Sequence, residues 1–287
     1  MGATSGGTPG TVDRGPAGID KIRLTILPTG TMHGDLTWLL IDPGHMATSA
    51  DKHPPRDWVE VPTYVVYIEH PDGTKLLWDT GVPRDWEKRW GPTGMDKFFP
   101  VDSVTEDMWL DSRLRQLDLE PGDIDYLVLS HLHGDHAGNA QLWAGTRTTI
   151  VVDAEEKKGA FGFDGYSNGA YFRPDYDGLE LTTIDEDTEL LPGVTLLRTP
   201  GHTPGTLSLL VDLADTGTML FSSDSLYRSE SYGPPAIAAG IVYDTVAWFE
   251  SVDKIRAIAD RTGATVVFGH DPGQLAGLKT GVGNYYT

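Results

Sequence analysis

A chain of 287 residues, 39% of them hydrophobic, is long enough to bury a sizeable core, and its 42 acidic against 22 basic residues leave a formal net charge of −20. That surplus argues against a nucleic-acid enzyme, because phosphate binding needs a basic surface. Cysteine is absent, which excludes disulfides and thiolate metal sites.

From the N-terminus, Met1 to Gly18 is rich in Gly, Thr and Pro and lacks the apolar core of a signal peptide. Residues 1–20 are expected to be a disordered tail and 21–287 a single domain. No run approaches the roughly eighteen apolar residues of a membrane span, so a cytoplasmic protein is expected. Lys21–Leu27, Tyr64–Glu69 and Lys75–Trp78 read as strands, the last two joined as a hairpin by Pro71-Asp72-Gly73. Between the first strand and the hairpin lies Gly30 to Pro62, where Met32, Trp38, Met46 and Trp58 stand among prolines and glycines. It is too apolar for a plain linker. An irregular cover on the sheet, a flap over a site and a homodimer contact are all compatible with it. A helix is expected from about Thr105 to Leu117.

The apolar run Tyr126-Leu127-Val128-Leu129 is followed at once by Ser130-His131-Leu132-His133-Gly134-Asp135-His136. Three imidazoles and a carboxylate therefore sit at a strand tip, before a further expected helix. Imidazole nitrogen and carboxylate oxygen are the ligands that borderline divalent metals prefer. The i, i+2 spacing lets His131 and His133 approach one ion, whereas Asp135 and His136 more naturally face a second.

Later residues supply further ligands. His202 stands between prolines and glycines in Thr199-Pro200-Gly201-His202-Thr203-Pro204-Gly205. Asp224 follows Met219-Leu220-Phe221, and His270 ends Val266-Val267-Phe268-Gly269. Ends of apolar runs are where sites are built on a rigid sheet, although a turn histidine or a capping aspartate would look the same in isolation. From Asp244 to Arg261, Trp248, Val252, Ile255 and Ile258 fall on one face of a helix that Gly263 stops.

This pattern, His131-x-His133-x-Asp135-His136 followed by His202, Asp224 and His270, resembles the metallo-β-lactamase fold superfamily. More narrowly it resembles the N-acyl-homoserine lactone lactonases, through Asp224-Ser225-Leu226-Tyr227, Phe268-Gly269-His270-Asp271 and Leu110-Asp111-Ser112-Arg113-Leu114. The resemblance spans about Lys21 to the end of the chain. It implies an αββα sandwich, two mixed β-sheets flanked by helices. It also implies two divalent ions per chain, with zinc the default and cobalt, manganese or iron the alternatives. One ion would be held by His131, His133 and His202, the other by Asp135, His136 and His270, with Asp224 bridging them.

The expected reaction is hydrolysis of a small-molecule lactone, in which a hydroxide available near neutral pH between two close cations attacks the acyl carbon. Tyr227 is the expected donor to the oxyanion. Asp135 is the expected proton shuttle to the leaving alkoxide. Asp79 either bonds a ligand histidine from behind or caps its turn. The apolar residues of the Gly30 to Pro62 stretch, with Trp86 and Trp90, either line an acyl-chain groove or are core or dimer contacts. His33, His45, His53 and His70 have no neighbour at ligand spacing and read as surface or loop residues.

Other members of the fold fit less well. Glutathione thioester hydrolases carry a substantial helical region beyond the last histidine ligand, and β-lactamases generally lack an aspartate like Asp224. Diiron redox proteins of this fold have a carboxylate where His133 stands. Hydrolysis of another lactone or carboxylic ester remains the alternative.

Overall fold

The computed structural model describes residues 20–287 apart from 42, 43, 45 and 163–169. Nearly all of the expected N-terminal tail, and His45, lie outside that set.

The opening alternation folds as β1 (Arg23–Asp35), antiparallel to β2 (Trp58–Glu69), with a register shift between Pro28 and Gly30. Both strands run further than the sequence suggests. The Gly30 to Pro62 stretch is therefore strand at each end, with a short 3-10 turn, Leu36–Trp38, after β1. β2 turns back into β3 (Lys75–Trp78) as the expected hairpin. β4 (Val101–Ser103) pairs with β1 at the edge. On the other side β3, β5 (Tyr126–Val128), β6 (Thr149–Asp153) and β7 (Leu181–Ile184) run parallel, giving a seven-stranded mixed sheet.

The second sheet has five strands: β8 (Thr188–Leu191), β9 (Val194–Arg198), β10 (Leu207–Leu213), β11 (Gly217–Phe221) and β12 (Thr265–Val267). They pair antiparallel except for the parallel β11–β12 edge. Alternate residues of the two sheets meet in a shared core that includes Leu24, Ile26, Val66, Ile68 and Trp78 from one and Leu196, Leu209, Val211 and Phe221 from the other.

Helices cover the outer faces. Leu110, Leu114 and Ala160, on the helices Leu110–Gln116 and Ala154–Gly162, pack against Leu77, Leu127 and Val152 of the first sheet. Helix Thr245–Thr262 packs Trp248, Val252, Ile255 and Ile258 against Leu197 and Leu220 of the second. Each such buried side chain contributes about 1.5–3 kcal/mol. The Asp244 carboxylate caps this helix by accepting from the backbone N–H of Val246 and Ala247. The architecture is the expected αββα sandwich. Among the described residues no helix is long and apolar enough to cross a membrane.

Three local expectations need correction. No α-helix follows His136: there is only a 3-10 turn, Ala140–Trp143. The intervening backbone is committed elsewhere. Thr80 donates to the His136 carbonyl from both N–H and hydroxyl, and the Asn139 amide donates to the carbonyls of Thr80, Gly81 and Val82. The helix expected from Thr105 to Leu117 is split into a 3-10 turn, Glu106–Met108, and the helix Leu110–Gln116, because Trp109 between them is extended. His33 is neither a loop nor a fully exposed residue, since it lies within β1 with Nδ1 2.5 Å from Asp102, whereas His70 sits in the expected hairpin turn but is buried there, its Nε2 bonded to the Pro192 carbonyl.

Candidate metal centre

The ligand candidates arrive at one end of the sandwich from both sheets. β5 delivers His131, His133, Asp135 and His136, while His202 sits between β9 and β10, Asp224 follows β11, and His270 follows β12. The structure brings all seven together in two groups, His131, His133, His202 and Asp224 in one and Asp135, His136 and His270 in the other. Gly201 lets the His202 loop pass hard against the helix Thr245–Thr262: its φ is +134°, and a Cβ there would lie 2.4 Å from the Trp248 Cα.

Asp224 lies between the groups. Its Oδ1 is 3.1 Å from Nε2 of both His136 and His270. Its Oδ2 is 3.3 Å from His202 Nε2 and 3.7 Å from His131 Nε2. Asp135 Oδ2 stands 3.5 Å from His136 Nε2 and 3.7 Å from His270 Nε2.

Outer contacts orient the rings. Asp79 Oδ2 bonds His136 Nδ1 at 2.8 Å, and its two oxygens also accept from the Ser130 N–H and hydroxyl. His270 Nδ1–H donates to the Pro62 carbonyl at 2.9 Å, and His202 Nδ1–H to the Ile241 carbonyl at 3.1 Å. A ring anchored through Nδ1 keeps its Nε2 lone pair for an ion.

Two observations show that these residues fit divalent cations. First, Nε2 of His131, His133 and His136 and Oδ1 of Asp224 are buried without a hydrogen bond. Buried polar atoms without a partner are costly and rare, so four at one point mark a ligand site. Second, the charges of the group that holds His131, His133 and His202 suit lone-pair donation. Burial holds His131, His133 and His202 below the usual histidine range, favouring neutral imidazoles. Burial opposes the charge of Asp224 too, but His136, His270, His202 and His131 outweigh it and hold its carboxyl well below the usual range. Burial likewise opposes charge on His136 and His270, yet Asp224 and Asp135 raise both. The two carboxylates thus gather positive charge at this point, and His136 and His270 must give up their protons for their Nε2 atoms to serve a cation in its place.

The centre forms the floor of an apolar pocket whose walls include Met32, Leu39, Val61, Trp90, Phe99, Phe172, Tyr227 and Ile241. Tyr227 is buried, its ring stacked on His270 at 5.4 Å and its hydroxyl 3.2 Å from His202 Nδ1. Of the two candidate tryptophans, Trp90 lines the pocket and stacks on Phe172, while Trp86 packs behind it. Met32, Leu39 and Val61 bring the apolar Gly30 to Pro62 stretch to the pocket, whereas Phe99, Phe172 and Ile241 escaped the sequence reading, since they come from separate connections with no shared period.

The metallo-β-lactamase superfamily model matches residues 58–270. The chain belongs to the metallo-β-lactamase superfamily. Within this superfamily, the N-acyl homoserine lactonase AttM of Azorhizobium caulinodans is 33% identical over 238 residues, covering 79% of this chain and 88% of its own. The N-acyl homoserine lactonase AiiB of Agrobacterium fabrum is 34% identical over 240 residues, covering 79% and 86%. These relatives place the chain in the N-acyl homoserine lactonase family. The superfamily fold is also shared with a solved N-acyl homoserine lactone hydrolase holding the product N-hexanoyl-L-homoserine at its catalytic metal center. That structure has a TM-score of 0.77 at 24% identity, covering 91% of this chain and 98% of that one.

Proposed function

We propose that this protein is a two-metal lactonase that hydrolyses the ester bond of N-acyl-homoserine lactones and so quenches quorum signals. The observation that carries the reading is the Asp224 carboxylate, which turns one oxygen to each histidine group at the floor of an apolar pocket. The curated relatives at 33–34% identity bear that activity in their names.

On this reading His131, His133 and His202 hold one ion, Asp135, His136 and His270 hold the other, and Asp224 is shared. An all-nitrogen-and-oxygen donor set suits zinc and accommodates cobalt, manganese or iron. When bound, two such ions polarise an acyl carbonyl and bring the pKa of water down to roughly 7.

The remaining work falls to the chain. The apolar walls hold the acyl chain and exclude water. The Tyr227 hydroxyl donates to the oxyanion that forms as water adds to the lactone carbon. Asp135, 17% exposed beside the pocket, takes the proton from the attacking water and returns it to the alkoxide as the ring C–O bond breaks. The product is the open hydroxy acid, and residues 21–287 serve as one hydrolase domain.

Mass analysis of the product tests the bond assignment. N-hexanoyl-homoserine lactone should gain one water and keep its acyl group, giving N-hexanoyl-homoserine. Release of free hexanoic acid and homoserine lactone would instead mean amide cleavage and would overturn the proposal.

A further inference from the structure

Glu156 is a carboxylate with 0% exposure on the helix Ala154–Gly162, and no cation pairs with it among the described residues. A solvated helix face is the ordinary place for such a residue in a sequence this acidic. Burial pushes its carboxyl up, and hydrogen bonds from Thr203, Leu132, Tyr171 and Gly205 work against that. Burying a charge without a counterion is expensive, so the interactions that hold it there matter.

The donors converge from three segments around one ligand group. Glu156 Oε1 accepts from the Leu132 N–H at 2.9 Å, fixing the peptide between His131 and His133. The same oxygen accepts from the Tyr171 hydroxyl at 2.9 Å, and the Tyr171 ring packs edge-on against His133 at 4.6 Å. Oε2 accepts from the Gly205 N–H at 3.3 Å, in the loop that carries His202. Gly205 allows this approach: a Cβ there would lie 2.4 Å from the Glu156 backbone nitrogen and 2.3 Å from Asp153 Oδ1. Asp153 in turn accepts from the N–H groups of Glu155 and Glu156, holding the helix start against that loop. None of these bonds is made to Asp135, His136 or His270 themselves; Leu132 lies in the same loop as Asp135 and His136 but on its His131–His133 side.

We propose that Glu156 is a positioning residue for one ion only, the carboxylate that sets the His131–His133 peptide and the His202 loop at the spacing their shared ion requires. The inference rests on the two-metal reading above. Lost outer contacts at metal sites typically cost about 10- to 100-fold in affinity.

The test counts ions by elemental analysis after dialysis of the holoprotein against increasing chelator. Glu156→Gln replaces one acceptor oxygen with an amide NH2 group, a donor that confronts the donors already there. It should release one ion per chain at about tenfold or more lower chelator than wild type, while keeping the second. His270→Ala alone should retain one ion, and the double variant Glu156→Gln/His270→Ala none. Tyr171→Phe, which keeps the ring against His133, should shift the same ion by a smaller factor, and Glu155→Gln on the exposed side of the helix should shift neither. If Glu156→Gln fails to fold, the Tyr171→Phe shift decides. Wild-type retention in both variants, or parallel loss of both ions as thermal stability falls, would overturn the positioning role. A wild-type protein that never binds two ions would overturn the two-metal reading, and this inference with it.

Discussion

Asp224→Ala should strip the protein of both ions and lower lactone hydrolysis by roughly a thousandfold or more. The carboxylate has one oxygen 3.1 Å from the Nε2 atoms of His136 and His270, and the other 3.3 Å and 3.7 Å from those of His202 and His131. Alanine removes the one group common to both ligand sets and leaves four buried imidazoles around a void. Two ions supply several kcal/mol of transition-state stabilisation, and each factor of ten corresponds to about 1.4 kcal/mol. Elemental analysis and initial rates check both halves. Two ions retained, with a rate within tenfold of wild type, would refute the shared role.

Tyr227→Phe should slow turnover by up to about a hundredfold while metal content stays at two. The ring is stacked on His270 and buried at 4% exposure, so phenylalanine keeps the packing and removes only the oxygen. Losing the contact to His202 Nδ1 at 3.2 Å costs folding stability about 1 kcal/mol. That is too little to explain a catalytic defect of the expected size. The loss should fall on kcat rather than KM, because the donor acts on charge present only in the transition state. Wild-type kcat in this variant would make Tyr227 a packing residue.

The clustering of the seven candidates was legible because all but His202 follow closely on an apolar run, and such runs become strands with their tips at one edge of a rigid sheet. His131 and Asp224 share an end of the sandwich because β5 and β11 do. The sandwich itself was legible through the resemblance, with the hairpin β2–β3 and the amphipathic helix Thr245–Thr262 readable from residues alone. Local reading failed where distant groups take over the backbone. The stretch after His136 is held by Thr80 and Asn139 rather than by its own helical bonds. β1 continues through its irregularity at Pro28 and Gly30 because β2 pairs with it on both sides of the shift. Glu156 was invisible for the same reason, since a glutamate in Asp-Ala-Glu-Glu-Lys-Lys looks solvated until the His202 loop closes over it. The rest of the pocket wall combines separated segments, and no periodicity links Phe99, Phe172 and Ile241.

The measurement that bears most directly on the whole account is a substrate panel on metal-replete protein, followed by the proton that ring opening releases into a weakly buffered indicator. N-acyl-homoserine lactones of increasing chain length should be hydrolysed readily, simple γ- and δ-lactones more slowly, and β-lactams and S-lactoylglutathione hardly at all. A chelator should abolish every rate, and added zinc, cobalt or manganese should restore it. Turnover of S-lactoylglutathione or a β-lactam far above that of every lactone would contradict the lactonase assignment and leave only a two-metal hydrolase of different specificity.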